Sequence, residues 1–321
     1  MDGAGAPTLT IDALKKAFAL ALGRPGATEL DRLEHSFLEQ ALEDYVDDET
    51  PELSPEDFAA VLAEFWKFGE VREGGLGPMI RLRRAQGADG RVLCYDLLEI
   101  VQDDAPFLVD SVMAELAEQG VSVKAMFHPV LTLERFGQGL RRPHGSTQRE
   151  STILVLVDRI ADDRRQAVAE GVRETLNDVH MAVKDFGAMS ELMGRAVADL
   201  ERGVPGRSRE QLDEDLAFLK WLQEGHYVFL GARNYDFPRT SSGDYEAEEP
   251  MPQVDQALGV LRDPSRAVLR RAHEPAVLTS SMRRQLDLGD PVTVAKSNLT
   301  SRVHRRTRMD YIGVRRFEIG R

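Results

Sequence analysis

The sequence has few of the features that mark secreted, membrane-bound or disulfide-stabilised proteins. Its single cysteine, Cys94, cannot form an internal disulfide or by itself a zinc site. No apolar run approaches the roughly 18–20 residues that a transmembrane helix needs. The first residues also lack the basic segment followed by an apolar one that marks a secretory signal. These absences predict a cytoplasmic protein that does not interact with membranes.

The motifs of the common enzyme classes are also missing. The chain contains no G-x-G-x-x-G after a strand, no G-x-x-x-x-G-K-[ST], no H-E-x-x-H and no G-x-S-x-G. The 7 histidines are scattered singly, and none has a second histidine or a cysteine at metal-ligand spacing. We therefore expect no catalytic residue, no cofactor-binding residue and no metal ligand in these 321 residues.

The composition is that of a folded, acidic protein with one basic end. Hydrophobic residues make up 42% of the chain, and the net charge is −13. From Leu261 to Arg321, however, 14 Lys and Arg residues stand against 6 Asp and Glu residues. Such an end can bind nucleic acid, and the candidate residues are Arg302, His304, Arg305, Arg306 and Arg308. Because no aromatic residues lie among them, a contact with the remainder of a longer chain is favoured and nucleic acid is not expected.

The first segment, residues 1–75, is predicted to be helical. Apolar residues recur at helical spacing up to about residue 70, and Gly23 and Pro25 end the first helix. Ser54 is a predicted N-cap with Pro55 at the first helical position, and Asp57 could reach back toward the cap in a weak capping box. We interpret this segment as a helical cap on the rest of the chain or as an oligomer contact.

The second segment, residues 76–187, is predicted to combine a sheet with two helices. Residues 79–83 and 92–101 are typical of two strands joined by the turn 87–90, and Gly120 ends a helix that follows Pro106. Further strands are predicted at 121–136, 152–157 and 181–186, with a helix at 162–177. The order β-α-β-β-α-β over residues 92–186 is that of a ferredoxin-like fold.

The remaining chain is predicted to contain two linker helices and then a β-rich domain. The helices occupy about 188–202 and 208–223, with Ser208 as an N-cap, within a linker segment at 188–224. Residues 225–321 form the β-rich part, with strands predicted near 226–237, 267–271, 276–279, 291–295 and 309–317. The last strand simply stops, which suggests a truncated domain. The fold class is therefore predicted to be α+β.

Several runs of residues together resemble one family. They are QDDAPFLVDSV at 102–112 with HPV at 128–130, WLQEGHYVFLG at 221–231, LGVLR at 258–262, KSNLTSRVHR at 296–305 and DYIGV at 310–314. In this order they resemble the N-terminal region of the large bacterial NAD-specific glutamate dehydrogenases. The similarity extends from about residue 90 to the C-terminus and is looser before it.

This resemblance implies a division of labour within a longer protein. The segment 76–187 would be an ACT-like domain, the β-rich part a partial PAS-like domain, and the catalytic Rossmann-type domain would lie far downstream. The intact protein would convert L-glutamate, NAD and water to 2-oxoglutarate, ammonia and NADH. The chain itself would be a non-catalytic regulatory and assembly segment, with the downstream region and other copies in a homo-oligomer as partners. The alternative is a stand-alone amino-acid-sensing ACT-type module without enzymatic activity.

An amino-acid effector, if the ACT-like unit takes one, is expected at the loop after its first strand. The candidate residues are Asp103, Asp104, Pro106 and Asp110, since helix N–H groups can hold a ligand carboxylate while an aspartate pairs with its ammonium group. The other interpretation is that Asp103 or Asp104 caps the helix. The usual ACT pattern has a glycine after the proline, and Phe107 stands there instead, so capping is favoured over ligand contact.

The remaining notable side chains are expected to be structural. His128 is predicted to be a core or edge histidine rather than a functional one. Trp66 and Trp221 are expected to pack on helices, and Cys94, within a strand, to be a small buried hydrophobic residue.

Overall fold

The computed structural model describes residues 10–44, 53–72, 77–142, 148–204, 206–236, 251–266 and 290–315. The chain divides into two compact units, Met1–Asn177 and Asp178–Arg321. Both units combine helices with strands, which confirms the α+β class. The finer division into four segments stays a prediction.

The described part of the first unit contains five α-helices and seven strands, and its last helix continues into the second unit. The elements are α1 (Ile11–Ala21), α2 (Arg32–Glu43), α3 (Pro55–Phe68), β1 (Met79–Gln86), β2 (Val92–Asp103), α4 (Leu108–Glu118), β3 (Val123–Phe127), β4 (Val130–Thr132), β5 (Glu134–Phe136), β6 (Leu140–Arg142), β7 (Arg149–Asp158) and α5 (Asp162–Glu201).

The predicted start of α3 is confirmed, with one difference. Ser54 accepts a hydrogen bond from the Asp57 backbone N–H, and Pro55 is the first helical residue. The Asp57 carboxylate does not complete the capping box. It accepts a hydrogen bond from the Ala88 N–H at 3.0 Å and pairs with Arg91. Asp57 therefore ties α3 to the turn between β1 and β2.

The sheet has the order β1-β2-β7-β3, and β4 also pairs with β7. Every pairing is antiparallel, and the predicted β1–β2 hairpin is confirmed. β5 and β6 form a separate hairpin. Pro129 separates β3 from β4, since proline has no N–H for the ladder.

Helices cover both faces of this sheet. In β2 every residue from Asp96 to Gln102 is buried. Leu97 and Val101 belong to a core shared with α1, α2 and α3. The alternating positions project to the other face, where the Asp96 carboxylate binds Arg165 of α5 at 2.5 Å. The N-terminal helices are thus part of the core of this unit, which explains why the central strands are buried without alternation.

The strand predicted at 181–186 is wrong, because these residues lie within α5. Buried Val179, Ala182, Asp185 and Met189 follow one another at intervals of three and four residues, which is the spacing of one helix face. No proline interrupts the 40 residues of this helix. The predicted helices at 162–177 and 188–202 are therefore one. The sheet edge beside β2, where the fourth strand of a ferredoxin-like sheet would lie, is occupied by β1.

The described part of the second unit contains the later part of α5, one further α-helix and six strands. These are α6 (Arg209–Trp221), β8 (Gly231–Ala232), β9 (Tyr235–Asp236), β10 (Met251–Pro252), β11 (Leu258–Gly259), β12 (Val292–Thr300) and β13 (Arg308–Val314). Ser208 caps α6 as predicted, in a capping box with Gln211. The strands predicted near 291–295 and 309–317 correspond to β12 and β13, which pair as an antiparallel hairpin that the sequence did not predict. The strands predicted at 267–271 and 276–279 lie outside the described residues.

The strand predicted over 226–237 is mostly wrong. A π-helical turn at Leu222–His226 follows α6, and the described residues from Tyr227 to Asp236 form only the two-residue strands β8 and β9. Among the described helices, none is both long and apolar enough to span a bilayer.

Candidate functional site

The four predicted effector residues lie where β2 ends and α4 begins. Asp103 is the last residue of β2, Asp104 and Pro106 are in the loop, and Asp110 is in the first turn of α4. The N-cap position belongs to Phe107, whose side chain makes no capping hydrogen bond. The expectation that Asp103 or Asp104 caps the helix is therefore wrong, because both carboxylates precede the N-cap and contact β7 and its neighbours instead.

Asp104 belongs to a hydrogen-bonded chain that crosses the end of β7. Ser151 Oγ donates to Asp104 Oδ1 at 2.8 Å, and the Arg149 guanidinium lies 3.2 Å from Asp104 Oδ2. His128 Nε2 lies 2.9 Å from Ser151 Oγ, and the His128 backbone N–H donates to Asp44 at 2.7 Å. Because the Ser151 hydroxyl donates its proton to Asp104, its oxygen is left as an acceptor, and the His128 imidazole is placed to donate to it.

The His128 side chain is half-buried, and its environment acts on its charge. Burial lowers the pKa of His128 below its usual value, against the opposing attraction of Asp104 and Asp44. A neutral imidazole held by Ser151 matches the structural role predicted for this histidine.

A second polar cluster lies beside the first and includes Asp103. Arg72 Nη1 donates to Asp103 at 2.6 Å and to Glu150 at 3.2 Å. The Glu150 carboxylate, which is fully buried, also pairs with Arg135 at 2.5 Å. Gln148 Nε2 reaches Asp103 at 3.1 Å. The buried carboxylate is therefore compensated by two arginines, as a buried charge requires.

Together the two clusters place three arginines and three carboxylates at one end of the sheet. These are Arg72, Arg135, Arg149, Asp103, Asp104 and Glu150. Opposite charges are equal in number here. The exposed parts are the Asp103 carboxylate, 55% exposed, and the Arg149 guanidinium, 63% exposed. Next to the N–H groups of the first turn of α4, such a surface offers partners for both charges of an amino acid.

Sequence reasoning missed Arg72, Arg135 and Glu150. Arg72 precedes the sheet by several residues, and Arg135 lies in the β5–β6 hairpin. Neither sequence spacing nor residue type indicates that they meet at Glu150. The weak signal that was available is Glu150 itself, an acidic residue at the start of β7, three positions before its apolar run begins at Ile153.

Three other predicted roles can be compared with the structure. Trp66 is a packing residue as predicted, since its ring lies 5.0 Å from that of Phe37. Trp221 is 41% exposed and stacks on His226 at 4.6 Å, so its predicted place in the packing of a helix is only partly correct. The prediction for Cys94 is wrong, because its side chain is exposed. It lies near the start of β2, on the side opposite buried Leu93.

The LGVLR run at 258–262 binds the long helix within the second unit. The Asp185 carboxylate of α5 accepts hydrogen bonds from the Gly259 N–H at 2.7 Å and from Arg262 at 2.5 and 2.9 Å. The hydrogen bond from Arg262 lowers the pKa of Asp185. Gly259 has φ 58°, and a Cβ there would lie 2.2 Å from Leu230 O. The LGVLR run can therefore approach the backbone at Leu230 this closely only because a glycine stands at position 259.

The described part of the chain contains no group of three or more His, Cys, Asp or Glu side chains that could hold a metal ion.

The comparisons agree with the resemblance inferred from the sequence. Residues 37–172 match the family model described as glutamate dehydrogenase, ACT1 domain. This range includes the whole sheet of the first unit and the β2–α4 loop.

Two curated relatives carry the name NAD-specific glutamate dehydrogenase. The protein from Halomonas elongata is 27% identical over 320 residues, which cover 95% of this chain and 19% of the relative. The protein from Pseudomonas aeruginosa is 28% identical over 234 residues, which cover 70% of this chain and 14% of the relative. The predicted resemblance to this family is thus confirmed, and the chain spans less than a fifth of the length of these relatives.

Proposed function

We propose that this chain is a regulatory and assembly segment of an NAD-dependent glutamate dehydrogenase. The observation that carries the proposal is the match of residues 37–172 to the ACT1 domain model, together with relatives of that name in which the matching region is under a fifth of the protein. The oxidation of L-glutamate to 2-oxoglutarate and ammonia, and the binding of NAD, are assigned to the remainder of the longer protein.

An assay of NADH formation tests this division of labour. The purified chain, incubated with L-glutamate and NAD, should give no increase in absorbance at the NADH band. The Pseudomonas aeruginosa relative, assayed in parallel, provides the positive control for the reaction named in its description. Turnover by the isolated chain above the no-enzyme rate would overturn the proposal.

The regulatory part of the proposal is placed at the β2–α4 loop, at Asp103, Asp104, Pro106 and Asp110. The exposed Arg149 guanidinium and the N–H groups of the first turn of α4 would bind a ligand carboxylate, and the aspartates its ammonium group. Both aspartates named in the clusters already have internal partners, so a ligand would have to compete with Arg72 and Arg149 for them.

A thermal-shift titration tests the effector site separately. L-Glutamate or L-aspartate at millimolar concentration should raise the melting temperature, since a ligand of the native state stabilises it by RT ln(1 + [L]/Kd). Asp104→Asn should abolish this rise, while Asp163→Asn, an exposed carboxylate in the first turn of α5, should keep it. If no common amino acid shifts the melting temperature, the loop is a structural connector and the effector site is refuted.

A further inference from the structure

The exposed edge strands of the two units differ in how well their backbones are protected. An unprotected edge strand presents N–H and C=O groups with which another strand can pair. In the first unit, the β1 edge is covered by arginines. Arg165 donates to Leu82 O at 2.9 Å, Arg83 to Arg84 O at 3.4 Å and Arg173 to Pro78 O at 3.5 Å.

The opposite edge of the same sheet, β3, is short and irregular. It has five residues and shifts its register between Val123 and Ala125, and its Lys124 pairs with Asp158 at 3.0 Å. Short length and a bulge are two devices by which natural sheets prevent edge pairing.

Strand β12 in the second unit is longer than β3, with nine residues. Among the described residues it pairs only with β13; the pairing is regular from Val292 to Lys296, and the register shifts between Lys296 and Thr300. Val294 is 58% exposed, and the strand contains no proline. Its one charged residue, Lys296, is neutralised by Asp310 at 2.6 Å. Within the described residues, the stretch Val292–Lys296 of β12 therefore presents an unpaired, regular edge without net charge.

The two ends of the β12–β13 hairpin carry opposite charges. At the tip, Arg305 and Arg308 are exposed and neither pairs with a carboxylate in the described part of the chain. At the base, the carboxylates of Asp290 and of Glu214 in α6 lie within electrostatic range of Asp215. Burial and these two carboxylates raise the pKa of Asp215, against the opposing charge of Arg207. Arg207 pairs with Asp290, so the base is acidic through the carboxylates of Asp215 and Glu214.

We propose that β12 pairs antiparallel with β12 of a second copy of this chain, around a two-fold axis near the middle of the strand. Antiparallel pairing reverses the hairpin of the second copy, so the basic tip of each copy lies beside the acidic base of the other. The same patch then serves on both subunits, as a two-fold interface requires. This pairing supplies an interface for the assembly role under the proposed function, and to that extent the pairing rests on the proposed function.

Sedimentation-velocity measurements on the full chain test the pairing. An interface of one strand pair and its flanking charges is small, so a weak dimer is expected at protein concentrations on the order of 10–100 µM. Raising the salt to about 1 M should weaken it, since the Debye length falls to about 3 Å. Val294→Lys should remove it by placing a charge on the edge strand.

Charge reversal tests the orientation of the two copies. Arg305→Glu and Glu214→Arg should each weaken dimerisation by about tenfold, since each contact occurs twice in a two-fold dimer. The two substitutions together should restore most of the affinity. Arg195→Glu, at an exposed arginine of α5, is the matched control and should have no effect. Melting temperatures measured on all variants show that they remain folded.

The results separate the pairing from the catalytic assignment. A chain that stays monomeric at these concentrations, or a dimer that is insensitive to Val294→Lys, overturns the pairing and leaves the NADH assay unaffected. A dimer lost on Val294→Lys but unchanged by both charge reversals overturns the antiparallel two-fold arrangement.

Discussion

Phe107 adopts a backbone conformation that glycine adopts most easily. Its φ of 71° and ψ of 3° lie in the left-handed region, directly before the first turn of α4. For a residue with a Cβ this conformation costs roughly 1–2 kcal/mol. The resemblance to ACT domains implies a glycine at this position, and glycine adopts this conformation without that cost. The Phe107 ring is half-buried, which offsets part of that cost.

Replacing Phe107 by glycine and by alanine separates the backbone strain from the loss of the ring. Both variants lose the ring, but only alanine keeps the unfavourable φ. Phe107→Gly should therefore be more stable than Phe107→Ala by about 1 kcal/mol in urea denaturation. At exposed Gln166 within α5, the same pair of substitutions should show the opposite order. If the Phe107→Gly and Phe107→Ala variants were equally stable, the proposed backbone strain at position 107 would be contradicted.

The N-terminal helices are structural elements of the first unit rather than an accessory to it. Phe18 of α1, Phe37 of α2 and Leu62 of α3 are buried in one core with Leu97 and Leu154 of the sheet. The aromatic rings of Phe18 and Phe37 lie 6.2 Å apart. A fully buried side chain in α3 should thus contribute as much to the free energy of unfolding as one in the sheet.

A pair of leucine substitutions measures this contribution. Leu62 is 1% exposed, and Leu62→Ala should lower the free energy of unfolding by about 2–5 kcal/mol through lost burial and a cavity. Leu20 of α1 is 56% exposed, and Leu20→Ala should change it by less than about 0.5 kcal/mol. Chemical denaturation of both variants provides the comparison. Similar losses for the two would mean that the helices contribute little to the core.

At the scale of the whole molecule, the charge distribution is the main feature. The net charge of −13 is compatible with a basic end because acidic residues outnumber basic ones up to residue 260, whereas basic residues are in excess after it. Part of that excess lies at the tip of the β12–β13 hairpin, and acidic residues lie at its base. In the proposed pairing of two copies, this polarity favours one orientation over the others.

The sequence by itself determined those local features that depend only on residues close together in the chain. Caps at Ser54 and Ser208, the glycine after α4 and the β1–β2 turn were predictable because each depends on a few adjacent residues. The resemblance to NAD-specific glutamate dehydrogenases was likewise carried by contiguous runs of residues.

Tertiary structure decided what depends on distant partners. Residues 181–186 could form a strand by pattern, but packing along one face made them part of a 40-residue helix. The residues around Asp103 and Asp104 were found, yet their partners were not, since Arg72, Arg135 and Glu150 are far apart in sequence. A buried charge needs an opposite charge beside it. Which residue supplies that charge is set by the sheet register, which brings distant segments together, rather than by the local sequence.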